Sequence, residues 1–220
     1  MIRRLLTYFA VVFTLPAFCQ TIEPDVDDFS IWEVADSAEV VLTDTTECII
    51  DTIQPIFGPI LVDAATMQAF VLTRNPDFPI EIAEAYFRLG ELYGIRADVA
   101  FCQAILETGW FRFEGGTAVT PDQHNYCGLG VLERGMKGHS FPTVDDGVRA
   151  QLQHLYAYAT RDPLPKGEEI VDPRFKLVSR GCATNWHDLA NRWAQNPVYG
   201  HQILGLYERM LALPSPDLQP

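Results

Sequence analysis

The chain has 220 residues and a formal net charge of −13, with 48% hydrophobic and 20% charged residues. This length and composition fit one soluble domain with a sizeable core and some attached sequence. Most of the negative charge lies in residues 20–75, which hold 11 acids and one base. Because no basic patch is present, the sequence excludes the electrostatic footprint of a nucleic-acid-binding protein.

The first 19 residues have the pattern of an export signal. Arg3 and Arg4 precede an apolar run at residues 5–15, and a small residue stands near the expected cleavage position. This pattern predicts a signal peptide over residues 1–19, with export to the periplasm or the exterior. Acylation of Cys19 is the alternative, but the residue before it is not small, as such a signal normally requires. No other stretch is long and apolar enough to predict a transmembrane helix.

Four cysteines follow the predicted signal peptide: Cys48, Cys102, Cys127 and Cys182. Their spacing is wide and irregular, with no CxxC pair, so neither a zinc site nor a dense disulfide framework is indicated. An exported protein can form disulfides, and four cysteines allow three full pairings. The sequence does not choose between disulfide-bonded cysteines and buried free thiols.

The rest of the chain divides into an acidic linker or N-terminal extension over residues 20–75 and a domain over residues 76–220. A glycine-rich stretch at residues 127–141 predicts a small β-hairpin. The predicted fold class is therefore α+β and mainly helical. Apolar periodicity with proline and glycine boundaries predicts helices over residues 61–72, 79–92, 97–108, 144–160, 188–194 and 198–213.

The helix at residues 97–108 carries the strongest candidate for chemistry. Gln103 and Glu107 lie one turn apart on one face, and Gly109 is a natural stop for the helix. Glu107 is thus placed at the negative end of the helix dipole, beside aromatic residues that follow directly. Both effects disfavour a carboxylate and predict a raised pKa, as a glycosidic proton donor requires. The alternative is a helix-end glutamate with its carboxylate in water.

Four segments in one order resemble the bacterial N-acetylglucosaminidase domains of glycoside hydrolase family 73. They are CQAILETGWFRF at residues 102–113, NYCGLGV from Asn125, SFPTVDDGVRAQLQHLYAYA from Ser140 and LANRWAQNPVYGHQI from Leu189. The similarity runs from about residue 78 to residue 213. It implies a lysozyme-like fold, in which the predicted hairpin flanks a substrate groove and Glu107 is the general acid.

The resemblance also implies roles for two further catalytic candidates. Tyr199, in the VYG run, matches a Tyr-Gly motif whose tyrosine lies near the sugar in the −1 subsite. Glu133, in the predicted hairpin, is a candidate base for the attacking water, although a solvated charge explains it equally. The substrate's own acetamido oxygen is the alternative to a second carboxylate, as in substrate-assisted glycosidases.

Five residues are candidates for holding the glycan. Trp110, Tyr126 and Trp193 can offer aromatic faces to sugar rings, although burial in the core explains such residues as well. Asn125 is a candidate for the cleft wall or for bracing its loop, and Gln103 for lining the groove beside the acid.

The sequence thus predicts an exported hydrolase that needs no metal or other cofactor. It would cleave the β-1,4 bond on the reducing side of N-acetylglucosamine in peptidoglycan glycan strands. A muramidase or lytic transglycosylase on the same fold is the nearest alternative. A cell-wall cysteine peptidase using Cys127 with His139 or His154 is another, and a non-catalytic wall-binding module is the third. The oligomeric state and the anomer of the product stay open.

Overall fold

The computed structural model describes residues 54–114, 118–131 and 136–213. Across these ranges the backbone forms isolated β-bridges but no extended strand, so the fold is mainly helical. No helix in the described part of the chain is long and apolar enough to span a membrane. The predicted signal peptide, Cys48 and Glu133 lie outside the described residues. The described residues form five α-helices, which are α1 (Ala64–Leu72), α2 (Ile80–Tyr93), α3 (Ala97–Thr108), α4 (Val144–Ala159) and α5 (Tyr199–Leu211).

Helix α3 is the centre of the domain. Every residue from Ala97 to Ile105 is buried, and α1, α2 and α5 all pack against this helix. Apolar periodicity in the sequence therefore understates how much of α3 is enclosed. A helix surrounded on several sides buries its polar residues too, so each of these needs a hydrogen-bond partner inside the protein.

Asp98, in the first turn of α3, is such a residue because it is fully buried. Its carboxylate accepts hydrogen bonds from the Leu61 backbone N–H at 2.8 Å, the Val99 N–H at 3.0 Å and the Tyr207 hydroxyl at 3.1 Å. These three donors replace the water that the charge has lost. Asp98 thereby connects the start of α3 to α5 and to the segment that precedes α1.

Residues 54–72 contribute to the same core. The Ile56 N–H donates to the Thr184 carbonyl at 2.9 Å, and the Ile56 carbonyl accepts from the Arg96 N–H at 2.9 Å. Helix α1 lies within the range predicted to be helical and buries Met67, Phe70 and Val71. This part of the acidic N-terminal extension is therefore packed on the helical core that includes α3, the helix of Glu107.

The predicted hairpin at residues 127–141 is not seen among the described residues. One backbone bond, from the His139 N–H to the Leu129 carbonyl at 2.7 Å, joins its two sides. Gly128 and Gly130 adopt positive φ angles of 67° and 85°, which turns the chain away from an extended path. The Asn125 side chain bonds the N–H and the carbonyl of Leu129 and the carbonyl of His139, so it occupies groups that a strand ladder would need.

The predicted helix at residues 188–194 is wrong. A short 3-10 turn, Trp186–Leu189, is followed by Asn191 at a positive φ of 58°. The Asp188 carboxylate accepts from the backbone N–H of Asn185 at 3.0 Å, which fixes the turn. The Asn191 N–H then donates to the Ala194 carbonyl at 2.8 Å. Local polar side chains compete here with the helical bonds, and this loop brings Trp193 toward the end of α3.

The close approach of α2 and α3 depends on Gly90. A Cβ at this position would lie 2.3 Å from the Ala97 Cβ and 2.8 Å from the Ile60 Cδ1. We expect Gly90→Ala to lower the free energy of unfolding by about 1–3 kcal/mol, because the helices must separate. Gly205→Ala in α5 is the control, since no atom lies within 4 Å of a Cβ built there. Urea unfolding tests this, and a Gly90→Ala protein as stable as wild type would contradict it.

Candidate active site

Glu107 lies in the last turn of α3, which Gly109 ends in the left-handed conformation at φ 58°. The residue is partly buried. The Tyr199 hydroxyl, from the first turn of α5, donates a hydrogen bond to Glu107 Oε1. The site is therefore assembled where the C-terminus of α3 meets the N-terminus of α5, from residues 92 positions apart in the sequence.

The pKa of Glu107 is raised from 4.5 to about 7. Burial is the main cause, because a carboxylate loses its hydration there. Hydrogen bonds from Tyr199 and Trp193 lower the pKa again, but by less. The predicted upward shift is confirmed, and near neutral pH a large fraction of the Glu107 side chains carries a proton.

A buried chain of hydrogen bonds leads to Tyr199 from the far side of α3. The Ala100 carbonyl determines which groups donate and which accept along this chain. A carbonyl can only accept, and this one accepts a hydrogen bond from Gln151 Nε2 at 3.0 Å. The same Nε2 donates to Gln103 Oε1 at 2.9 Å. The amide of Gln103 is thereby oriented, and its Nε2 donates to the Tyr199 hydroxyl oxygen at 2.9 Å. The Tyr86 hydroxyl completes the chain by donating to Gln151 Oε1.

The order of donors and acceptors along this chain determines which oxygen of Glu107 carries the proton. Because the Tyr199 oxygen accepts from Gln103, its own hydrogen is available for Glu107 Oε1. Burial and the nearby Glu107 carboxylate raise the pKa of Tyr199 well above its usual value, so the hydroxyl keeps that hydrogen. Oε1 is thus an acceptor, and a protonated Glu107 carries its hydrogen on Oε2.

Trp193 lies on another side of Glu107 and contributes a hydrogen bond to its carboxyl group. The Trp193 ring packs edge-to-face against His154 with the ring centres 5.0 Å apart. His154 Nδ1 in turn lies 2.7 Å from an oxygen of Asp172, which is buried. Trp193 therefore separates the acid from a buried His-Asp pair.

The structure brings three of the predicted site residues to Glu107, namely Gln103, Tyr199 and Trp193. Trp110 instead packs on Phe70 with the ring centres 5.1 Å apart, and the guanidinium groups of Arg74 and Arg209 lie 5.7 Å and 5.9 Å from its ring centre. Its φ of 62° directs the chain out of α3.

Asn125 and Tyr126 occupy the loop that follows the Pro121–Gln123 turn. Asn125 is fully buried and braces its own loop through the bonds described above. Tyr126 is 2% exposed and packs on Tyr86 and Phe111. The contacts of these two side chains are thus within the core and the loop rather than with Glu107. Glu133 lies outside the described residues.

Sequence reasoning missed Tyr86 and Gln151 as members of the site. Tyr86 is a buried residue of α2, and in the sequence nothing distinguishes its hydroxyl from that of an ordinary core tyrosine. Gln151 follows Val148 by three residues on the apolar face of α4, and a polar residue on such a face was the available signal.

The described residues hold no group of three or more His, Cys, Asp or Glu side chains placed to bind a metal ion. Cys102, Cys127 and Cys182 are free thiols. Burial and the charges of Glu107 and Asp172 raise the pKa of Cys127 well above its usual value. A nucleophilic cysteine needs the opposite shift, so this geometry disfavours the peptidase alternative.

A carboxyl group that stays protonated near neutral pH, held by fixed donors at the end of a helix, is the acid that glycoside hydrolases use on a glycosidic oxygen. Comparison with known proteins agrees with this class. The sequence profile of the family described as Glucosaminidase, mannosyl-glycoprotein endo-beta-N-acetylglucosaminidase, matches residues 83–212. The chain therefore belongs to this family of glycoside hydrolases, and its mainly helical fold is consistent with a lysozyme-like glucosaminidase domain.

An uncharacterized protein of Borreliella burgdorferi is 36% identical over 138 residues. The match covers 61% of this chain and 66% of that protein. No solved structure matches the chain. The family match includes every residue of the hydrogen-bond chain from Tyr86 to Tyr199.

The raised pKa of Glu107 predicts a pH-dependent stability. The folded protein holds this proton up to about pH 7, whereas an unfolded glutamate releases it near pH 4.5. The stabilising contribution is thus complete below about pH 4.5 and is lost as the pH rises through about 7. Relative to Glu107→Gln, wild type should lose on the order of 1–2 kcal/mol of unfolding free energy over this range, allowing for partial exposure.

Urea unfolding of wild type and Glu107→Gln at several pH values between 4 and 8 measures this difference. All other titrating groups are shared by the two proteins, so their contributions cancel. A stability difference that does not change with pH would contradict the assignment of a raised pKa to Glu107.

Proposed function

We propose that this chain is an exported peptidoglycan hydrolase that cleaves the β-1,4 bond on the reducing side of N-acetylglucosamine. The observation that carries the proposal is the enclosed Glu107, with a pKa of about 7, inside the segment that matches the family. Export rests on the basic and apolar pattern of residues 1–19.

Glu107 acts as the general acid in this proposal. Its Oε1 accepts from Tyr199, so Oε2 is the oxygen that delivers a proton to the leaving sugar. After the transfer the carboxylate is stabilised by the hydrogen bonds from Tyr199 and Trp193. These fixed donors favour the charge that develops as the bond breaks.

Tyr199 acts through Glu107. Its hydroxyl is committed to Gln103 and Glu107, so it orients the acid that faces the −1 sugar. Gln103 is fully buried, which supports the same indirect role. Of the predicted aromatic contacts, Trp193 is the one beside Glu107, and we assign it to the wall of the sugar-binding groove.

The second catalytic group is either Glu133 or the acetamido oxygen of the substrate. Three acidic residues elsewhere in the described part of the domain are engaged in contacts of their own. Asp172 binds His154, Asp145 forms an ion pair with Arg88 at 2.7 Å, and Asp146 accepts from Thr143 at the start of α4. The anomer of the product separates the two candidates, because attack by the acetamido group retains it and direct attack by water inverts it.

Replacing the acid tests its role. We expect Glu107→Gln to reduce hydrolysis of purified cell walls by about 10²–10⁴-fold, since an amide cannot donate the catalytic proton in its place. The matched control is Glu91→Gln, which changes an exposed glutamate in the last turn of α2. Mass analysis of the products should give N-acetylglucosamine at the new reducing ends.

Other products would support the alternatives. Muramic acid at the new reducing end indicates a muramidase, and an anhydro-muramic acid end indicates a lytic transglycosylase. Cleaved wall peptides indicate a peptidase. Binding to walls with no cleavage indicates a binding module. Full activity of Glu107→Gln would overturn the proposed mechanism.

A further inference from the structure

A cavity lies at His154, the residue on which the Trp193 ring packs. It has a volume of about 380 Å³ and is formed by the end of α4 and the loops that follow it. Its lining includes His154, Tyr158, Arg174, Ser179 and Arg192. These side chains supply hydrogen-bond donors from several directions, and the function proposed above uses none of them.

The cavity is cationic although the whole chain has a net charge of −13. Neither Arg174 nor Arg192 forms an ion pair with any carboxylate of the described residues. The nearby carboxylate of Asp172 is already bound to His154 Nδ1 at 2.7 Å and to the Arg174 backbone N–H at 2.8 Å. Arg192 Nη1 donates to the Asp188 carbonyl at 3.0 Å, which leaves its other N–H groups and the Arg174 guanidinium to face an anion in solution.

The chemistry of these groups favours a carboxylate. Guanidinium groups bind planar carboxylates through two parallel hydrogen bonds. His154, which lines the cavity, binds Asp172 through Nδ1 and adds its second ring nitrogen, Nε2, to the polar groups there. Leu177, Val178 and Cys182 line the cavity as well, so a ligand with both a carboxylate and an apolar part fits it.

The position of the cavity relates it to Glu107. The Trp193 ring contacts His154 on one side and contributes a hydrogen bond to Glu107. The His154 ring, which lines the cavity, and the Trp193 ring therefore link the cavity to the acid. In peptidoglycan, the sugar on the reducing side of the bond assigned to Glu107 carries the wall peptide through its lactyl group.

We propose that this cavity binds a carboxylate of the wall peptide attached to the sugar next to the cleaved bond. The inference rests on the proposed function, because it takes peptidoglycan as the substrate. Binding of this carboxylate makes the enzyme prefer glycan strands that carry peptides over strands that carry none.

Binding to the inactive full chain tests the proposal separately from cleavage. Glu107→Gln is titrated with a soluble disaccharide-peptide, with the same compound after amidation of its peptide carboxylates, and with inorganic phosphate. We expect amidation to weaken binding about tenfold, and Arg174→Gln or Arg192→Gln to remove that difference. Phosphate should compete only weakly.

Lys176→Gln is the matched control, because Lys176 is exposed in the same loop and does not line the cavity. It should leave the preference for the free carboxylate intact, and thermal unfolding checks that each variant folds. Equal affinity for the amidated and free peptides would overturn the proposal. So would phosphate that binds as tightly as the peptide, since the site would then be a general anion site.

Activity assays show which proposal has failed. If glycan is cleaved as proposed but the arginine variants act equally on peptide-bearing and peptide-free strands, this inference is wrong and the proposed function stands. If the peptide carboxylate binds as described but neither kind of strand is cleaved, the proposed function is wrong and the cavity assignment stands.

Discussion

The hydrogen bond from Tyr199 to Glu107 joins the end of one helix to the start of another and encloses the acid on which the site depends. Burial keeps the proton on Glu107, and the bond fixes which oxygen holds it. The two effects act in opposite directions on the pKa, with burial the larger. A fully solvated glutamate would be ionised at neutral pH, and one with stronger donors would hold its charge too well to deliver a proton.

This balance requires a rigid and fully paired interior around α3. Gln103 and Gln151 are fully buried, and unpaired amides there would be costly. Their bonds to Ala100 and Tyr199 satisfy them and also set the orientation of the acid. The same contacts that stabilise the fold thus determine the chemistry, while Gly90 allows α2 to approach the start of α3 closely.

Much of the fold could be predicted because its signals are local. The stop at Gly109 and the periodicity of α2 and α4 lie in short stretches of sequence. The path of residues 188–194 could not be predicted in this way, because Asn185, Asp188 and Asn191 fix a turn inside an apparently helical pattern. Glu107 could be singled out from its helix, but its pairing with Tyr199 spans 92 residues, and only the family resemblance indicated it. The sequence gives no local sign of the contact between Trp193 and His154.

The central claim is that Glu107 keeps its proton near neutral pH in the folded protein. Carbon-13 NMR of labelled glutamate side chains, with Glu107→Gln used to assign the signal, follows this carboxyl group directly as the pH is changed. A titration midpoint near 7 is predicted. A midpoint near 4.5, the ordinary value for a glutamate, would contradict the account.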